Sequence, residues 1–143
     1  MNQEMITALV GIIGVLIGSL ISIWMTRHAV RFAETLRIVA ILKDRLRICL
    51  TDIRGNNHGN CPSDIIMDCV KDTKATVTQL TSFAREATIQ PIVTAWAVFA
   101  YGETAEYQDE RDTNHEYFSA AGEVNKTRDK AIHRINTVLS MKI

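Results

Sequence analysis

The sequence predicts an all-α protein in which a single N-terminal transmembrane helix is followed by an antiparallel helical bundle of three to four helices. Three observations carry that prediction. Residues 5–25, MITALVGIIGVLIGSLISIWM, run for 21 residues without a charge. The remainder repeats its apolar residues at steps of three and four, the period of a helix face. No stretch alternates apolar and polar residues as a half-buried strand does. With 143 residues the chain has room for one small domain beside the apolar run.

At a rise of about 1.5 Å per residue, 21 helical residues reach about 31 Å, close to the hydrocarbon thickness of a bilayer. A secretory leader would need a basic segment ahead of its apolar core. Here the preceding residues are Met1, Asn2, Gln3 and Glu4, so the run reads as a lasting membrane span. Arg27, Arg31 and Arg37 follow the span, whereas Glu4 precedes it. Positive residues stay on the cytoplasmic side. The expected layout is therefore an extracytoplasmic N-terminus over 1–4, a span over 5–26 and a cytoplasmic helical part over 27–143 of a single-pass protein in the plasma (inner) membrane. Trp24 fits an interfacial anchor, and with Arg27, Arg31 and Arg37 it forms the candidate lipid-headgroup contact. An odd number of cysteines, three, suits a reducing compartment.

The span has a face. Thr7, Gly11, Gly14, Gly18 and Ser22 recur at steps of four, three, four and four, which makes one stripe on a helix. Gly14 and Gly18 form a GxxxG pair, and Ser22 continues it. Small residues let helix backbones approach closely, the source of packing energy in lipid. The stripe is the candidate surface for self-association or for packing on a membrane partner.

Beyond the span, Phe32, Leu36, Val39, Leu42, Leu46, Leu50 and Ile53 trace one amphipathic helix continuous with it. Gly55 ends that helix, and Pro62 restarts the chain with Asp64 favourably placed in the first turn. Ile66, Cys69, Val70, Thr73, Val77, Leu80, Phe83 and Ala87 form the second stripe, so that a first hairpin covers residues 27–87. Pro91 opens a third segment, PIVTAWAVFAYG, apolar nearly all round. Its twelve residues are too few for a span and suit a buried helix. Thr113 and Glu116 have capping-box spacing for a fourth helix, with Ala121, Val124, Ala131, Ile132, Ile135, Val138 and Leu139 as its apolar face.

Formal charge sums to zero, so no nucleic-acid partner is expected. Its distribution is uneven. Residues 27–54 carry seven Lys/Arg against three Asp/Glu, net +4, and residues 88–118 carry one Arg against six Asp/Glu, net −5.

Chemistry-bearing motifs are sparse. Residues 55–64, GNNHGNCPSD, read as a turn between two helices. Cys49, His58, Cys61 and Cys69 surround that turn and are the one combination of zinc-binding residue types, although the interval from Cys61 to Cys69 fits no standard zinc module. No phosphate loop, nucleophile elbow or HExxH occurs. The expectation is a non-enzymatic protein without cofactor that meets membrane lipids and either itself or a membrane protein. It would act through helix–helix association as a scaffold, regulator or interaction protein. Two alternatives stand beside this: a small membrane-perturbing or pore-forming effector, and a thiol- or zinc-dependent sensor at the hairpin tip. In layout, one N-terminal span and a short helical tail, the chain resembles many small bacterial membrane proteins, some implicated in phage defence or exclusion. The resemblance is one of layout and assigns no residue a role.

Overall fold

The computed structural model describes residues 3–55, 62–102 and 124–142. They form four helices: α1 (Gln3–Gly55), α2 (Pro62–Phe83), α3 (Glu86–Tyr101) and α4 (Val124–Ser140). No strand occurs among the described residues. The chain divides into two units, Met1–Glu34 and Thr35–Ile143.

In the first unit, the apolar side chains of α1 from Met5 to Met25 are all exposed. The helix is long and apolar enough to cross a membrane. Two of its hydroxyl groups are compatible with lipid because they bond to their own helix. Thr7 Oγ1 donates to the carbonyl of Gln3 at 3.1 Å and Ser19 Oγ to that of Val15 at 2.8 Å. Where water is absent, a hydroxyl that turns back on its own backbone avoids the cost of an unmade hydrogen bond.

In the second unit, one hydrophobic core draws on all four helices. From α1 it takes Ile38, Val39, Leu42, Leu46, Cys49, Leu50 and Ile53. The face differs at its start from the periodicity reading. Leu36 is exposed at 42%, while Thr35 and Ile38 are buried. At about 100° per residue, Leu36 lies roughly 100° round the helix from the centre of the buried face. Phe32, in the first unit, is also exposed. From α2 the core takes Ile66, Cys69, Val70, Val77 and Leu80, with Thr73 fully buried among them. From α4 it takes Ala131, Ile135 and Val138, with Ile132 and Leu139 partly buried against them. The capping box at Thr113 and Glu116, and Ala121, lie outside the described residues.

The third helix departs most from the sequence reading. α2 stops at Phe83, and α3 begins at Glu86 rather than at Pro91. Arg85 has extended backbone, φ −68° and ψ 130°, at the break. Phe83 and Ala87, assigned to the second stripe, are exposed. The reason is phase. The buried positions of α2 end at Leu80, and those of α3 start at Ile89. Nine residues at about 100° each amount to about half a turn beyond whole turns. One unbroken helix would therefore turn Ile89, Ile92, Trp96 and Phe99 away from the side that buries Leu80. The break restores them to the core, and Pro91 sits inside the helix with its ring exposed. Gly102 closes α3 at φ 90°, where a side chain would be strained, and its N–H bonds to the Val98 carbonyl at 3.1 Å.

Polar links tie helices within this unit. Trp96 Nε1 on α3 donates to Thr73 Oγ1 on α2 at 2.9 Å. Lys43 Nζ on α1 donates to the Met141 carbonyl just past α4. Arg45 Nη1 donates to the Asp72 carbonyl on α2.

Candidate functional site

Two features rise above ordinary packing, one in each unit. The first is the exposed apolar length of α1. Thr7, Gly11, Gly14, Gly18 and Ser22 are all exposed on it. A Cβ added at Gly11, Gly14 or Gly18 would meet nothing within 4 Å. These glycines therefore serve no packing need among the described residues. Trp24 is exposed at 63%, and its ring meets the His28 ring edge-on with centroids 4.5 Å apart. Arg27, Arg31 and Arg37 are exposed further along α1. In water, a cylinder of exposed leucine, isoleucine and valine this long would aggregate, because each fully exposed apolar side chain forgoes about 1.5–3 kcal/mol of burial.

The second feature is the pairing of Cys49 on α1 with Cys69 on α2 as a disulfide, Cα to Cα 5.8 Å. Both are 5% exposed. The buried faces of the two helices bring them together. Cys49 follows Leu42 and Leu46 along one face, and Cys69 stands between Ile66 and Thr73 on the other. The Thr73 hydroxyl donates to the Cys69 carbonyl at 2.7 Å, which fixes the backbone beside that sulfur.

Of the zinc-type residues, Cys49 and Cys69 are thus joined to each other, and a disulfide sulfur does not act as a thiolate ligand. His58 and Cys61 lie outside the described residues, as does most of the turn they belong to. Among the described residues no three His, Cys, Asp or Glu side chains gather where they would hold a metal ion.

Sequence reasoning placed Cys49 and Cys69 near one hairpin tip but did not pair them. A usable signal was present. Cys49 stands six residues before Gly55 and Cys69 seven after Pro62, so the two lie nearly level on either side of the turn. A cavity of about 650 Å³ runs past both cysteines, with Arg45, Asp52, Asp68 and Asp72 among its lining residues. A second cavity, of about 530 Å³ between α3 and α4, is lined by Lys130, His133 and Arg134 on one side and by Pro91, Ala95 and Val98 on the other. Compared with known protein families, curated proteins and solved structures, the chain matches none.

Proposed function

We propose that this chain is a single-pass, membrane-anchored helical protein that acts through helix–helix association, as a scaffold, regulator or interaction protein without catalysis. The observation that carries the reading is the apolar length of α1, long enough to cross a membrane and exposed throughout from Met5 to Met25. Such a surface needs lipid or another protein around it. In this reading residues 5–26 cross the plasma membrane, residues 1–4 lie outside, and 27–143 form a cytoplasmic antiparallel bundle. Orientation rests on Arg27, Arg31 and Arg37 after the span against Glu4 before it. Trp24 then lies at headgroup depth, with the three arginines against anionic lipid at about 1 kcal/mol each.

The partner of the small-residue stripe is a second copy of the chain or a membrane protein with a matching face. Within residues 5–25 Thr7, Ser19 and Ser22 are the only polar side chains, and the hydroxyls of Thr7 and Ser19 bond to their own helix carbonyls; so sparse a polar lining favours association over a pore-forming effector.

The test is the protein mass in detergent, by light scattering corrected for bound detergent, of the wild type beside Gly14→Leu/Gly18→Leu. A Cβ at either site is free of contacts within the chain, so the double variant keeps its fold and a change in mass reports contact between chains. A discrete oligomer that the double variant dissolves is the expected result. A monomer in both removes self-association from the proposal and leaves the span as an anchor or as a docking surface for another protein.

A further inference from the structure

The Cys49–Cys69 pair combines two properties that a purely structural crosslink does not need together. The sulfurs belong to the core, yet both cysteines line the same open cavity of about 650 Å³. Their Cα atoms, 5.8 Å apart, stand at ordinary disulfide spacing. The cavity is also charged. Asp52, Asp68 and Asp72 line it, with Arg45 as the one cation among its described lining residues. Lys71, 3.6 Å from Asp68 in an exposed pair, offsets part of that charge.

We propose that Cys49–Cys69 is a reversible thiol–disulfide switch, opened and closed through this groove by small thiols and disulfides that carry no net negative charge. It rests on the preceding section only in placing the tail in a compartment that holds small thiols. In opening, a reagent thiolate attacks one cysteine sulfur. The S–S bond breaks, and its electron pair leaves on the other cysteine, which takes up a proton. A second reagent thiol then attacks the mixed disulfide and releases the first cysteine as a thiol. The balance is one protein disulfide and two small thiols giving one protein dithiol and one small disulfide, and closing is the reverse. The bond joins α1 to α2 across a separation of 20 residues, so the switch sets whether the two helices are covalently held at the end of α1 that carries the turn.

The carboxylates decide which reagents enter. The glutathione thiolate, net −2, is repelled from the groove, whereas the cysteamine thiolate, a zwitterion with no net charge, is not, and salt weakens the difference. The experiment uses the full chain in detergent micelles with Cys61→Ser, so that one cysteine pair remains. It is exposed to cysteamine or glutathione buffers at matched thiolate concentration, and free thiols are counted by the mass added on maleimide labelling. Cysteamine is expected to open the pair about fivefold faster than glutathione at low salt, below the range of strongly charged clefts because Lys71 screens Asp68. The gap is expected to close at about 0.5 M salt, and in Asp52→Asn/Asp68→Asn/Asp72→Asn. Equal rates with the two reagents overturn the groove as a selective entry. A pair that resists both reagents while the chain is folded, or two free thiols in fully oxidised cystamine buffer, overturns the switch. Detergent-corrected mass tests the span and thiol labelling tests the pair, so the two readings fail separately.

Discussion

Replacing Thr73 with valine changes almost no shape and removes one hydroxyl from the middle of the core. That hydroxyl is fully buried, donates to the Cys69 carbonyl at 2.7 Å and accepts from Trp96 Nε1 at 2.9 Å. The Cys69 carbonyl keeps its helical hydrogen bond in the variant, so its loss is small. The indole N–H does not: Trp96 is 5% exposed and is left without an acceptor. An unsatisfied buried donor costs about 1–3 kcal/mol. Trp96→Phe removes the donor instead and leaves the Thr73 hydroxyl still bonded to Cys69, at a cost of about 2 kcal/mol from the smaller ring. With both partners apolar, no orphan remains, so Thr73→Val in the Trp96→Phe background costs less than alone by about 1 kcal/mol or more. At about 4 °C per kcal/mol for a unit of this size, Thr73→Val alone lowers the thermal midpoint by about 4–12 °C. The assay is thermal unfolding of the four proteins in mild detergent, followed by circular dichroism at the helical band. Costs that add to within about 0.5 kcal/mol would show that the two side chains are not coupled and would refute this account.

Two further expectations concern the same unit. Leu46→Ala, at a fully buried position, is expected to cost about 2–5 kcal/mol, whereas Ile48→Ala two residues on, at 58% exposure, stays within about 0.5 kcal/mol in the same melts; comparable losses at both would contradict the assignment of the buried face of α1. Opening Cys49–Cys69 releases the constraint of a 20-residue separation and is expected to lower stability by about 3 kcal/mol, or about 12 °C in midpoint, by the chain-entropy model. An unchanged midpoint, with both thiols shown to be free, would refute that magnitude.

By itself the sequence determined the helical class, the apolar length of α1, and most of the faces that meet in the core. These are properties of local periodicity. Val39, Leu42, Leu46, Leu50 and Ile53 on α1, and Ile66, Val70, Val77 and Leu80 on α2, follow steps of three and four and are buried as that spacing requires. Gly55 and Pro62 bound α1 and α2 because each carries a backbone preference of its own. Only the tertiary structure decided what depends on two distant segments at once. The break after Phe83 has no glycine or proline to mark it. It exists because Leu80 and Ile89 must reach one core from positions about half a turn out of phase, and neither segment carries that fact alone. The same holds for Thr73 with Trp96, 23 residues apart, where a threonine on a stripe reads as a small core residue until an indole arrives beside it. Cys49 and Cys69 read as two buried cysteines for the same reason. Each stripe placed its own sulfur, and the meeting of the two faces joined them.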